Sequence, residues 1–413
     1  MSAPTSPPSP TLRETFAALR HRDYRLWFGG QFVSLTGMWM QSAAQGFLVY
    51  QLTHSLAYLG YVGFAAGLPA WLFTLYGGVI ADRVSRRRLI LATQAAMMLL
   101  AFTLATLVFT GVARPWHILA LALCGGVVNA FDAPARQVLV VDLVAREDLT
   151  NAIALNSTMF NAATVVGPAI GGAVYAWLGP AWCFTINGVS YLAVIGGLLL
   201  MRLHGARPAP PRASVLADLR EGFAYMRGDA TARALVATVG VVSVIAVGLV
   251  TLMPAWSVNI LHGGVRLNGA LLSARGAGAL VGALMIAALG RRRFRGRLLT
   301  LGTILLPLTL LLFAGLRWLP AAAAALVGVG WSFMVIVNTT LALLQTRLPD
   351  ALRGRVMSIY TMVFFGSMPL GALASGFAAH RWGEPAAVAG GAALLLLFAG
   401  FAWWRWPLLR RLP

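Results

Sequence analysis

Along the chain, apolar residues gather into runs of about 20, broken by short stretches rich in arginine, glycine and proline. Leu89–Ala113, Trp116–Phe131, Leu298–Leu316 and Ala386–Trp404 contain no Arg, Asp or Glu at all. A helix needs about 20 predominantly apolar residues to cross a bilayer. Reading each run between its charge and turn signals predicts spans at 25–50, 58–81, 89–111, 116–140, 151–178 and 181–201 in the first half. In the second half they fall at 233–260, 267–289, 298–316, 320–345, 355–380 and 386–406. The expected fold is an all-α integral membrane protein of twelve transmembrane helices.

Composition removes the main alternative. The 413 residues are 59% apolar and 11% charged, with a mean hydropathy of +0.77, against roughly 45–50% and about 25% for soluble domains. The formal charge is +20, and all 32 cationic residues are arginine. A soluble protein this basic would suggest nucleic acid. Here 27 arginines flank one side of the spans and only Arg114, Arg266, Arg317 and Arg381 the other, with Arg275 inside a span. Positive loops stay cytoplasmic. The expectation is therefore a multi-pass protein of the plasma (inner) membrane with both termini cytoplasmic, whose partners are the lipid bilayer and no nucleic acid. Cys124 and Cys183 lie in or beside apolar runs, so no disulfide framework is indicated. The opening residues, with Pro4, Pro7, Pro8 and Pro10, lack the apolar stretch of a cleavable signal.

The two halves repeat. Leu12–Arg20 and Leu219–Arg227 match at six of nine positions, 207 residues apart. Asn129 answers to Asn338, Gln137 to Gln345 and Pro168 to Pro369. This is the parallel-repeat plan of transporters that rock around a midplane site. The organisation is a cytoplasmic tail with an amphipathic helix (1–24), a six-helix half (25–203), a linker with a second amphipathic helix (204–232), a second six-helix half (233–406) and a short tail (407–413). Thr11 and Glu14 read as a capping box. Leu12, Phe16 and Leu19, and again Leu216, Leu219, Phe223 and Met226, share a helical face suited to the inner leaflet.

The turn after the second span runs from Gly78 through Asp82, Arg83 and Ser85 to Arg86, Arg87 and Arg88. It reads either as a solvated turn or as a conformational latch, with Asp82 against a neighbouring helix N-terminus and Arg86 reaching another acid. It resembles the Gly-x-x-x-Asp-Arg-x-Gly-Arg-Arg signature of the major facilitator superfamily, with Ser85 replacing the second glycine. The equivalent second-half loop, Gly290–Arg297, keeps the basic cluster without the acid. Gly167, Pro168, Gly171 and Gly172 in the fifth span resemble the superfamily's Gly-Pro-x-x-Gly-Gly antiporter signature. Pro168 bends the helix, and Gly167 and Gly171 offer a smooth packing face, for which Gly278 and Gly282 are the expected counter-face. Phe131–Gln137, Leu149–Ser157, Asp23–Trp27 and Trp39-Met40-Gln41 are similar to the enterobactin-exporter-like group of drug:proton antiporters.

That resemblance implies export of small amphipathic compounds such as siderophores or drugs by alternating access, with no cofactor, a proton gradient as the energy source, and a monomer as the working unit. It also places spans one, four, seven and ten around the cavity. Gln41, Gln45, Asn129, Arg136, Trp256, Asn259, Asn338 and Gln345 are then its candidate lining, with interhelical packing the competing reading for the amides. Asp132 is either a proton carrier or the latch partner of Arg86. Arg275 either meets an anionic substrate group or snorkels to the outer interface, the simpler reading. A lysophospholipid-type flippase shares the architecture. A membrane-embedded enzyme would need clustered catalytic groups, whereas the six histidines are scattered in tails, loops and span ends, giving neither catalytic nor metal sites. A sensor or scaffold would need a regulatory domain, for which no segment is long enough.

Overall fold

The computed structural model describes residues 16–202, 215–289 and 295–406. Twelve long helices run antiparallel in sequence. They are α1 (Arg22–Thr53), α2 (Leu56–Arg83), α3 (Arg86–Phe109), α4 (Pro115–Leu143), α5 (Leu149–Leu178) and α6 (Pro180–Leu200). The second set is α7 (Ala230–Ala255), α8 (Val265–Leu289), α9 (Arg295–Gly315), α10 (Leu319–Arg347), α11 (Asp350–Trp382) and α12 (Glu384–Arg405). Eleven segments, one at every helix except α1, are both long and apolar enough to cross a membrane. No strand occurs among the described residues. In a bilayer every backbone polar group must be satisfied internally, which helices alone achieve segment by segment.

Turn chemistry explains the sharp reversals. Gly179 and Gly383 hold φ of 91° and 82°, open to glycine without Cβ strain, and each precedes a helix with proline in its first turn. These turns join the fifth and sixth helices of each half, so the internal repeat extends to loop construction. Ser55 caps α2 by accepting from the Tyr58 N–H, and Asp229 caps α7 through the Thr231 and Ala232 N–H groups.

The Val215–Gly228 linker helix docks beside the second half. Met226 is buried in the second-half core with Leu219 and Tyr225 against it, Glu221 pairs with Arg355 at 2.5 Å, and Gly222 brings the helix onto α11 at Arg355 and Ile359. Phe223 stays exposed. Thr11, Leu12 and Glu14 lie outside the described residues, and Ala17–Arg20 form a short 3-10 turn. That turn is docked by the Ala18 N–H on Asn151 Oδ1 and by His21 on Asp148 at 2.8 Å.

Lipid tails are as apolar as leucine, so helices associate through close packing at small residues. Gly371 of α11 has its Cα directly against the Val244 carbonyl of α7, whereas Gly29 faces open space. Gly371→Ala should therefore lose about 1–3 kcal/mol and lower the melting temperature of purified protein in detergent, with Gly29→Ala unchanged. Equal melting of the two variants would contradict this packing.

Candidate functional site

The halves meet along two seams exchanged by the repeat. In the first, α2 packs on α11: a Cβ at Gly60 would stand 2.9 Å from the Ala372 carbonyl, one at Gly376 2.8 Å from that of Leu56, and one at Gly63 2.7 Å from Ala372 Cβ. In the second, α5 packs on α8. A Cβ at Gly276 would stand 2.6 Å from the Thr164 carbonyl, one at Gly172 3.0 Å from that of Val265, and Gly269 abuts the Pro168 carbonyl. Ser273 adds a 2.6 Å hydrogen bond to the Val165 carbonyl. Both seams occupy the helix portions nearer the arginine-poor end of the bundle.

A polar bridge closes the same end. Tyr50 of α1 donates to Asn259 Oδ1 at 2.8 Å, and Asn259 Nδ2 donates to Glu384 Oε1 of α12 at 2.6 Å. Asn259 reaches both because α7, after Pro254, relaxes into a π turn over Trp256–Ile260, the kind of irregularity that re-aims side chains. Glu384 is buried in the first turn of α12, where the helix N-terminus favours a carboxylate.

Bordered by the seams, with Gly63, Thr164 and Pro168 in its wall, lies a cavity of about 390 Å³. Its wall is mostly apolar, including Met38, Trp39, Met97, Leu100, Leu104 and Leu121, with polar points at Gln41, Gln45, Asn129, Asn187, Tyr191, Thr251 and Arg275. An apolar wall with a few convergent polar groups suits an amphipathic ligand. Gln41 accepts from Asn187 Nδ2 at 2.7 Å, which fixes its amide.

Of the expected lining residues, Gln41, Gln45 and Asn129 belong to this cavity; the other five do not. Trp256 is fully buried, stacked on Phe313 at 4.5 Å. Asn259 serves the bridge, Arg136 is engaged elsewhere, Asn338 is half-buried in α10, and Gln345 is exposed near the arginine-rich end of α10. Arg275, read as snorkelling, instead borders the cavity.

The latch expectation needs correction at its partner. Arg86 pairs with Asp142 at the end of α4, not with Asp132, and Arg87 donates to the Leu199 carbonyl at 3.0 Å. Asp132 lies fully buried nearly three helical turns before Asp142, where Thr93 Oγ1 donates at 2.6 Å and Gln94 Nε2 at 3.0 Å, and where Arg136, one turn on, pairs with it. Gln31 accepts from Arg136 at 3.2 Å. Gly78, Asp82 and Arg83 sit in the last turns of α2, and their side chains lie outside the described residues.

The antiporter-like block is also redistributed. Gly167 and Gly171 press on α1 at Thr36, Trp39 and Met40, while Gly172 and Pro168 face α8. Their counter-face in α8 is Gly269 and Gly276; Gly278 and Gly282 pack on α10 at Val327 and Trp331.

The sequence matches the family described as transmembrane secretion effector over residues 13–410. The chain belongs to that family, a branch of the major facilitator superfamily. Its members are transporters, not enzymes. The chain is 26% identical to the enterobactin exporter EntS of Escherichia coli over 91% of this chain and 90% of that protein. It is 28% identical to the multidrug efflux pump Tap of Mycolicibacterium fortuitum (80% and 82%) and 24% to the staphyloferrin A transporter of Staphylococcus aureus (87% and 90%). In fold it resembles a POT family transporter in complex with 5-aminolevulinic acid, with a TM-score of 0.76, 12% identity and coverage of 94% and 96%. It also resembles an inward-facing bacterial homolog of the human lysosomal transporter Spinster, at 0.69, 15%, and 96% and 97%.

Tyr50, Glu384, Thr93, Gln94, Asp142 and Asn187 were not singled out from sequence. Only Glu384 carried a signal: it is the sole acid among the turns of the arginine-poor side. Asn259→Ala removes the Tyr50 bond, the link of the bridge that joins the two halves, worth about 0.5–1.5 kcal/mol net, so the population open at the arginine-poor end should rise roughly two- to tenfold. The check is the rate at which an impermeant maleimide, added from that side, labels Gln45→Cys in a background without Cys124 and Cys183. An unchanged rate would mean the bridge does not hold that end shut.

Proposed function

We propose that the chain is a secondary exporter of small amphipathic molecules, siderophores or drugs among them, working by alternating access and driven by proton influx. It sits as a monomer in the plasma (inner) membrane with the arginine-rich end and both termini in the cytoplasm, following the positive-inside rule. The observation that carries the reading is the cavity between two halves, bordered by their glycine seams and with the Tyr50–Asn259–Glu384 bridge at the arginine-poor end. Relatives named as an efflux pump and an exporter, matched over 80% and 91% of the chain, support the direction. On this reading the structure faces the cytoplasm, ready to load.

Mechanism follows from what the residues do. Substrate enters from the cytoplasmic side and rests on the apolar wall, oriented by Gln41, Gln45 and Asn129. The seams and bridge then part as the cytoplasmic ends of the halves come together. Asp82 at the N-terminus of α11 would hold them there, a contact worth typically about 0.3–1 kcal/mol and up to ~2 when partly buried. The Arg86–Asp142 pair ties α3 to α4 and so keeps the first half rigid through the motion.

Asp132 is the proton carrier in this scheme. With Arg86 engaged by Asp142, the alternative role of latch partner falls away. A buried carboxylate held by Thr93, Gln94 and Arg136 can gain a proton only by loosening Arg136, which would free α4 against Gln31 of α1. Intramembrane acids of this kind mark proton paths.

In proteoliposomes with an imposed pH gradient, wild-type protein should expel at least one of two amphipathic dyes, fluorescein or a rhodamine ester, against its concentration. Asp132→Asn should lower gradient-driven efflux at least tenfold while dye binding in detergent changes less than threefold. Gradient-driven efflux at the wild-type rate in Asp132→Asn would remove this carboxylate from the coupling step.

A further inference from the structure

Arg275 is an arginine that meets no acid among the described residues. It stands ten residues into α8, about 15 Å from the nearer helix end at 1.5 Å per residue, close to the midplane of a bilayer core about 30 Å thick. Snorkelling serves arginines near helix ends, and this one instead lines the central cavity with Gln45, Asn129 and Thr251. Its Nε is buried without a hydrogen-bond partner among the described residues, and none of the ion pairs found there includes its guanidinium.

Its position is imposed by packing. Gly276 presses α8 on Thr164 of α5, Gly278 presses it on Val327 of α10, and Gly330 of α10 seats directly on the Arg275 carbonyl. The backbone is clamped between two helices, so the side chain cannot be carried elsewhere by rotation of α8. Among the described residues no Asp or Glu borders the cavity. Asp132 is already matched by Arg136, and Glu384 by Asn259.

A fixed guanidinium presents five donors in a planar fork that fits an oxyanion with two bonds. In a cavity with a mostly apolar wall, that charge discriminates more strongly than it would in water. We infer that Arg275 is the counter-ion of a negatively charged substrate: the exported molecule is an amphipathic oxyanion, a carboxylate or phenolate, whose apolar body lies on Trp39, Met97 and Leu100 while its charge meets Arg275. This inference rests on the transport reading and narrows it to a charge class. It also gives the site a means to refuse cations.

The test uses two dyes of one skeleton, fluorescein as the oxyanion and a rhodamine ester as the cation. Binding is followed by fluorescence titration of the purified full chain in detergent, and independently by the shift in melting temperature. Wild type should bind fluorescein at least tenfold more tightly than the ester, and fluorescein alone should raise its melting temperature clearly. Arg275→Gln should lose that preference through weaker fluorescein binding, and should melt no lower than wild type without ligand, because an unmatched buried charge is removed. Arg275→Lys should keep part of the preference.

Absence of an anion preference in wild type, or its survival in Arg275→Gln, would overturn the proposal. So would a clear fall in melting temperature for ligand-free Arg275→Gln, since that would mark the charge as structural. Efflux of each dye from vesicles is read separately. If wild type binds fluorescein through Arg275 but moves neither dye, the export reading fails while the charge assignment stands.

Discussion

Two polypeptide halves in a bilayer have no hydrophobic force pulling them together, and backbone contact at small residues is what joins them. Leu56, Gly60, Gly63 and Gly67 meet Pro369, Ala372 and Gly376 on one side of the molecule; Thr164, Pro168 and Gly172 meet Val265, Gly269 and Gly276 on the other. The cavity's position, the reach of Asn259 and the burial of Glu384 all follow from that approach. The seams carry little polar chemistry, Ser273 being the main exception. Contacts made of shape and dispersion can part without leaving stranded charges, which suits surfaces that must open in a transport cycle.

Charge is distributed by the opposite logic. Arginines crowd one end, where they pair with Asp23, Asp142 and Glu221 or bond to helix-end carbonyls such as that of Leu199. Within the membrane charge is costly, and the described helices hold it in three ways. Asp132 is compensated by Arg136 one turn away. Glu384 is held by an amide and a helix terminus. Arg275 is left open to the cavity. The first suits proton exchange, the second a gate, and the third an incoming anion.

The helices were legible because bilayer thickness imposes a length that no side-chain detail can hide: each expected span falls within a few residues of α1 to α12. Equivalent prolines, Pro168 and Pro369, do occupy equivalent helices, α5 and α11. Helix rotation was not legible. Gly278 and Gly282 form a small-residue face as good as that of Gly269 and Gly276, but only the latter pair faces α5. Depth was not legible either: Arg86 could reach any acid near its turn, and it meets Asp142 at the end of α4, with Asp132 about 15 Å further along the helix at 1.5 Å per residue. Asn259 left the cavity because a π turn, invisible in composition, moved it to the bridge. Arg275 needed knowledge of which helices clamp α8.

The central claim is that the arginine-poor end must open for export. Gly63→Cys with Ala372→Cys, in a chain lacking Cys124 and Cys183, tests it directly. Their Cβ positions lie 2.7 Å apart, close enough for a disulfide that prefers about 3.8 Å after a small shift. Oxidation should staple α2 to α11, stop efflux of a preloaded dye, keep dye binding in detergent at the level of the reduced double-cysteine protein, and be reversed by dithiothreitol. Efflux continuing at the reduced protein's rate, with the cross-link complete, would show that this seam does not open in the transport cycle.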